Sequence, residues 1–207
     1  MDIKLLEEVA RNLVSQGKGI LAADESNPTC KKRFDSIGVE STEKNRNIYR
    51  DMLFTTKGLE EFISGVILFD ETLRQSTVKD QTPYPAYLTK LGVIPGIKVD
   101  KGAHPLPGSD GEKITEGLDG LGARLKEYFN LGARFSKWRA VITIGESLPS
   151  STCVTANAHA LARYAALCQE NGLVPIVEPE ILMDGSHTID DSFIITEEVL
   201  HSTCYDL

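Results

Sequence analysis

The sequence has 207 residues, of which 41% are hydrophobic and 25% are charged, which is ordinary for a globular protein with a sizeable core. The net charge of −8 argues against non-specific nucleic-acid binding, which needs a basic surface. No apolar run approaches the roughly 18 residues of a membrane helix, and the first residues lack the apolar segment of a signal peptide. The four cysteines form no C-x-x-C pair. We therefore expect a cytoplasmic protein with reduced thiols and no membrane or nucleic-acid partner.

Two hydrophobic periods alternate along the chain. Helical spacing of apolar residues alternates with short, β-branched runs that are apolar on both faces, which is typical of buried parallel strands. In chain order the patterns predict a helix at 3–14, a strand at 20–23, a helix at 43–53, strands at 66–69 and 94–99, a loop at 102–111, a helix at 118–129, a strand at 135–142, a helix at 152–171, a strand at 174–177, a loop at 183–192 and a helix at 197–205. No repeat or linker divides the chain.

Repeated strand–helix units predict an α/β fold. The pattern alone does not separate an open sheet from a TIM barrel, which needs eight strands and typically ~250 residues. Polar residues in or just after the strands favour the barrel, because its chemistry lies at the carboxyl ends of the strands. These residues are Asp24, Asp70, Glu71, Asp100, Lys137, Arg139, Glu178 and Glu180.

Four of these charged residues lie in a predicted strand or directly after one: Lys137 and Arg139 within 135–142, and Glu178 and Glu180 just beyond 174–177. Lys137 and Arg139 are two residues apart, as are Glu178 and Glu180, so each pair projects from one face of its strand. Charges on inward-facing positions are costly unless they pair. The cluster is therefore either a functional site or a structural ion-pair network.

Other candidates have two interpretations each. Asp24 follows an apolar run and is either a site residue or the N-cap or turn residue of a helix. Lys98 lies within an apolar strand, either in a site or as an edge lysine that reaches solvent. The four histidines are isolated from one another, and no P-loop motif is present. We therefore expect neither a metal site nor any other cofactor.

Six ordered segments resemble the class I fructose-bisphosphate aldolases. They are Gly17–Ser26 (GKGILAADES), Gly65–Leu73 (GVILFDETL), Gly96–Gly102 (GIKVDKG), Gly117–Leu121 (GLDGL), Ala133–Arg139 (ARFSKWR) and Val174–Glu180 (VPIVEPE). The likeness runs from about Lys4 to the last residue. It implies a TIM (β/α)8 barrel that cleaves fructose 1,6-bisphosphate reversibly in glycolysis and gluconeogenesis. The products are dihydroxyacetone phosphate and glyceraldehyde 3-phosphate. The resemblance further implies a lysine Schiff base, no metal, and a homotetramer.

The resemblance also implies roles for individual residues. Asp24 would act on the proton of the C4 hydroxyl, and Glu178 would be the general acid and base for the Schiff base. Lys137 would supply positive charge beside Glu178, while Glu180 would support the charge network. The remaining positions would bind phosphate or substrate hydroxyls: Lys98, Arg139, Ser26, Thr29 and Arg33.

One expected motif does not occur. The lysine that forms the Schiff base in this family lies in a Leu-Leu-Lys-Pro segment on strand six, which is absent from these 207 residues. We therefore expect a single domain, residues 1–207, holding about the first five β/α units of an incomplete barrel, without activity by itself. Two alternatives remain open. The chain is a non-catalytic, phosphate-binding or self-associating protein, or Lys137 takes over as the Schiff-base lysine.

Overall fold

A computed structural model describes residues 1–207. The strands are β1 (Gly19–Ala23), β2 (Ile63–Leu68), β3 (Ile94–Lys98), β4 (Ala103–Pro105), β5 (Lys113–Thr115), β6 (Phe135–Ile142) and β7 (Val174–Ile181). The helices are α1 (Ile3–Leu13), α2 (Asn27–Asp35), α3 (Glu43–Phe54), α4 (Leu59–Phe62), α5 (Asp70–Leu73), α6 (Tyr84–Lys90), α7 (Leu121–Asn130), α8 (Ser151–Glu170) and α9 (Ile189–Asp206).

Five strands form one sheet in the order β1-β2-β3-β6-β7, and β4 and β5 form a separate antiparallel pair. Strand β2 pairs in parallel with both β1 and β3. All five predicted strands are therefore found, and they are the members of the larger sheet. Parallel neighbours need a crossover connection, which helices supply in an α/β fold.

Several predicted boundaries and loops were wrong. Strand β7 continues to Ile181, and α9 begins at Ile189 inside the predicted loop 183–192. Thr188 starts α9 through a capping box in which its hydroxyl and the Asp191 carboxylate bond reciprocally to backbone N–H groups, an arrangement that stabilises a helix start. The predicted loop 102–111 contains β4, and helices α2, α4, α5 and α6 were not predicted.

The chain divides into two compact units. The first unit comprises residues 1–98, 126–136 and 172–174. The fully buried ring of Phe135 occupies space that two strand glycines leave open. A Cβ atom on Gly96 would lie 2.3 Å from the Phe135 ring, and one on Gly65 would lie 2.6 Å from Leu13. Only glycine fits this ring at position 96, so β3 has no side chain there.

The second unit comprises residues 99–125, 137–171 and 175–207. The buried indole of Trp138 packs on Tyr164 of α8 with 5.5 Å between ring centroids. Buried Glu112 fastens the loop before β5 to the start of α8, because its carboxylate accepts hydrogen bonds from the Ser150 N–H and hydroxyl, each at 2.6 Å. No helix in either unit is both long and apolar enough to cross a bilayer.

Candidate active site

Polar residues follow the first three strands of the sheet. Asp24 comes directly after β1, Asp70 is the second residue after the end of β2, and Lys98 is the last residue of β3. Asp24 and Lys98 are half-buried. The first unit thus carries ionisable side chains at the carboxyl ends of parallel strands, where the active sites of α/β proteins lie.

Helix α2 begins just beyond Asp24. Its N-cap is Ser26, so Asp24 lies two residues before the cap and the N-cap interpretation of Asp24 was wrong. The Ser26 hydroxyl makes no cap bond, and its Oγ lies 3.1 Å from the Thr29 hydroxyl. Ser26 and Thr29, both predicted phosphate contacts, are therefore neighbours on the first turn of a helix, where backbone N–H groups favour anions.

Glu25 is the centre of a second cluster in the first unit. Its carboxylate is paired with Arg33 and Arg50, and it accepts a hydrogen bond from the Tyr49 hydroxyl at 3.1 Å. Burial raises the pKa of the Glu25 carboxyl, but the two arginines outweigh burial and hold the pKa below its usual range. Arg33 is thus held by Glu25, while more than half of its side chain stays exposed.

Helix α3 carries another arginine one turn before Arg50. Arg46 holds Glu71 with two bonds of 2.8 and 2.6 Å and donates to the Ser41 carbonyl at 2.6 Å. These hydrogen bonds from Arg46 hold the pKa of Glu71 below its usual range. Arg46 and Arg50 of α3 therefore bind the carboxylates of two residues outside that helix. These are Glu25, which follows β1, and Glu71, which follows β2.

The second unit pairs charges directly between two strands. Lys137 Nζ of β6 lies 3.2 Å from Glu178 Oε2 of β7, and the Arg139 guanidinium is paired with Glu180. The hydrogen bond to Glu180 raises the pKa of Arg139. Asp100 supports the same region, because its Oδ2 accepts a bond from the Arg139 backbone N–H at 3.4 Å.

The structure therefore brings predicted residues together in three groups. Ser26 contacts Thr29, Lys137 contacts Glu178, and Arg139 contacts Glu180. The equal parity of 137 with 139 and of 178 with 180 predicted a charge cluster, and the structure pairs its members between β6 and β7. No group of three or more His, Cys, Asp or Glu side chains lies close enough together to hold a metal ion.

Sequence reasoning missed Glu25 and Arg50. A signal for Arg50 exists in the sequence: Arg46 and Arg50 are four residues apart in a predicted helix, so they lie on one face. An arginine on a helix face that also packs against the core requires hydrogen-bond acceptors, and a carboxylate also balances its charge. Nothing in the sequence shows that this partner is Glu25.

The strand order and the charged residues at strand ends and on β6 and β7 are those of an α/β enzyme of the barrel class. A family model, described as glycolytic, fructose-bisphosphate aldolase class-I, matches residues 5–207. A probable fructose-bisphosphate aldolase class 1 of Xanthomonas axonopodis pv. citri is 62% identical over 98% of this chain and 60% of that protein. The fructose-bisphosphate aldolase 1 of Toxoplasma gondii is 59% identical over 95% of this chain and 54% of its own length.

A solved structure agrees with these relatives. It is fructose-bisphosphate aldolase from Plasmodium falciparum in complex with TRAP and a small molecule inhibitor, and it aligns with a TM-score of 0.95 at 52% identity over 99% of this chain and 59% of that chain. The chain belongs to the class I fructose-bisphosphate aldolase family, and the predicted TIM-barrel fold class is confirmed. It spans about 60% of the length of the Xanthomonas relative and contains five strands of the barrel sheet.

Proposed function

We propose that the complete protein carrying this chain cleaves fructose 1,6-bisphosphate reversibly to dihydroxyacetone phosphate and glyceraldehyde 3-phosphate through a lysine Schiff base. The observation that carries the proposal is the Lys137–Glu178 pair, whose atoms are 3.2 Å apart, within a chain of this family. Cleavage beside a carbonyl needs an electron sink, which a protonated Schiff base supplies, and a carboxylate that moves protons.

Glu178 is the general acid and base of this proposal. A third of its side chain is exposed, so it has both a fixed cationic neighbour and an open side from which a substrate can approach. Lys137 supplies positive charge beside it, and Glu180 holds the neighbouring Arg139. A positioned carboxylate that gives and takes protons contributes roughly 100- to 10,000-fold to a rate.

The first unit supplies the other groups of the proposal. Asp24 acts on the proton of the C4 hydroxyl during cleavage. Arg33, Ser26 and Thr29 bind a phosphate group through a guanidinium and the start of α2, which are both favourable to an anion. Lys98 of this unit binds phosphate or hydroxyl groups, as does Arg139 of the second unit. Local cations therefore attract the substrate although the chain as a whole carries a net charge of −8.

The covalent step needs a lysine that this proposal assigns to a Leu-Leu-Lys-Pro segment outside these 207 residues. The alternative nucleophile is Lys137. Borohydride reduction in the presence of dihydroxyacetone phosphate, followed by peptide mapping, separates the two. We expect the adduct in the Leu-Leu-Lys-Pro segment of the complete protein and none on Lys137. An adduct on Lys137 would contradict this assignment.

The test of the function is a coupled assay of fructose 1,6-bisphosphate cleavage by the complete protein. We expect turnover that survives EDTA, because no step of the proposal uses a metal, and that is lost after borohydride reduction with dihydroxyacetone phosphate. An inactive complete protein, or one that EDTA inactivates and borohydride spares, would contradict the proposal. Purified residues 1–207 are expected to show no turnover.

The proposal includes one barrel domain that contains residues 1–207, a homotetrameric assembly and a cytosolic location. Fructose-bisphosphate aldolase 6 of Arabidopsis thaliana, which is 55% identical over 98% of this chain and 57% of its own length, is named cytosolic. Size-exclusion chromatography with light scattering tests the assembly: a stable monomer would exclude the tetramer.

A further inference from the structure

Arg50 is a buried arginine that has no role in the reaction proposed above. It lies on α3 with only 2% of its surface exposed. A buried guanidinium is expensive unless its donors are satisfied. What Arg50 binds therefore indicates why an arginine stands there.

The guanidinium of Arg50 bonds mainly to one residue, Glu25. Its Nη1 is paired with the Glu25 carboxylate, and its Nη2 donates to the Glu25 backbone carbonyl at 2.9 Å. The remaining contact of Nη2 is with Cys30 Sγ at 3.6 Å. Holding both the carbonyl and the side chain fixes the peptide plane that joins Glu25 to Ser26, and with it the short segment 24–26.

The Glu25 carboxylate, which Arg50 holds, also bonds two groups that are more exposed than Arg50. Arg50 bonds one oxygen, Oε2, while Oε1 receives the Tyr49 hydroxyl and the Arg33 guanidinium. Arg33 is far more exposed than Arg50. Glu25 is therefore a bridge between a buried arginine that anchors it and an open arginine that it orients.

We propose that Arg50 is a positioning residue that acts through Glu25 to orient Asp24 and Arg33. This inference rests on the proposed function, in which Asp24 moves a proton and Arg33 binds phosphate. Arg50 touches neither the substrate nor the reacting atoms. It stabilises the segment from which both groups are presented, so that they need not reorganise when substrate arrives.

The substitution that tests this role is Arg50→Lys. Lysine keeps the charge but lacks the rigid fork that bonds a carbonyl and a carboxylate together. The matched control is Arg134→Lys. Like Arg50, Arg134 donates to the backbone, to the carbonyls of Phe129 and Ala133 at 3.0 and 2.8 Å, but it has no hydrogen bond to the segment 24–26.

The alkylation rate of Cys30 measures whether Arg50 keeps Glu25 in place, and it does so independently of catalytic activity. Its thiol is buried, donates to the Glu25 carbonyl at 3.8 Å and contacts Arg50. In the complete Arg50→Lys protein we expect an alkylating reagent to modify Cys30 at least about tenfold faster, through local opening. Buried Cys153 and Cys168 should keep their rates, which excludes global unfolding. Equal acceleration of all three thiols, or none, overturns the proposal.

Steady-state kinetics test the catalytic consequence. We expect Arg50→Lys to lower kcat/KM for fructose 1,6-bisphosphate about 100-fold, as misplaced groups do, and Arg134→Lys to leave it unchanged. In a background that carries both Asp24→Asn and Arg33→Met, Arg50→Lys should cost far less, because both of its targets are already lost. A full effect in that background overturns the proposal.

The two proposals fail in different ways. Wild-type protein without any cleavage activity overturns the proposed function, and the positioning role in catalysis with it. Wild-type protein that cleaves the substrate, with an Arg50→Lys variant that cleaves it equally fast, overturns the positioning role alone.

Discussion

The two units of the chain each hold a cluster of acidic and basic side chains, but the clusters are built differently. In the first unit, Glu25 is anchored by an arginine that is almost fully buried and that also bonds the backbone. In the second unit, Arg139 and Glu180 are both more than a third exposed. A buried pair with extra backbone bonds is committed to holding a segment in place, whereas a half-open pair can still exchange partners with a ligand.

The difference in burial between the two clusters predicts different effects of substitution on stability and on activity. Breaking a buried pair leaves an unpaired charge in a poorly solvated place and is strongly destabilising. Breaking a half-exposed pair costs little stability, because water replaces the lost partner. We therefore expect substitutions in the first cluster to appear mainly in unfolding experiments and in positioning, and those in the second to appear mainly in turnover.

The largest expected effect is on turnover in the second unit. Glu178→Gln removes the proton-transfer group and should lower kcat of the complete protein about 1,000-fold. The matched control is Glu7→Gln, because Glu7 belongs to an exposed pair with Arg11 on α1. Turnover of Glu178→Gln within threefold of wild type would remove Glu178 from the reaction.

The next effect is on stability in the first unit. Arg50→Met leaves Glu25 without its buried partner and should lower the free energy of unfolding by about 3 kcal/mol. Arg139→Met, in the half-exposed pair, should lower it by less than about 1 kcal/mol. Urea unfolding of both variants measures the contrast. Equal losses would show that burial does not distinguish the two clusters.

The smallest expected effect concerns pH. Arg46 lowers the folded-state pKa of Glu71 below the value of 4.5 for an unperturbed carboxyl, so the folded state binds fewer protons than the unfolded state near that pH. The stabilisation is complete above about pH 5 and is lost as pH falls through the folded-state pKa. Glu71→Gln should remove this part of the pH dependence and leave the stability above about pH 5 as the baseline for comparison. Unfolding curves at several pH values check it, and a variant with the full wild-type dependence would exclude Glu71 as its source.

The sequence predicted the five strands of the sheet but not all of the residues at which they end. Strand β6 matches its predicted bounds because residues 135–142 carry apolar and β-branched residues to both ends. The prediction stopped β7 at Val177 because Glu178, Pro179 and Glu180 interrupt the apolar run, although the strand continues to Ile181. Charges within a strand are unfavourable for folding alone, and those two positions carry the ion pairs.

The missed helices have a physical reason as well. Helix α2 is polar and buries only Cys30 and Phe34, so its sequence shows little helical periodicity. The stretch 183–192 contains Asp184, Asp190 and Asp191 and was predicted as a loop, whereas Asp190 and Asp191 lie in the first turn of α9 and Asp191 is part of its capping box. Residue parity predicted that Lys137 and Arg139 share one strand face and that Glu178 and Glu180 share another, and the family resemblance placed Lys137 beside Glu178. The link from Arg50 to Glu25, across 25 residues, depends on tertiary packing that no local pattern encodes.

The ring of Phe135 against Gly65 and Gly96 makes three distant positions mutually dependent. The strands pack closely here because Phe135 fills the space between them and Gly65 and Gly96 have no side chains. A library that varies one of these positions at a time will report intolerance at all three. One that varies them together can return other divisions of the same volume, such as a methyl group at 96 beside a smaller side chain at 135. In redesign, these three residues must therefore be varied together.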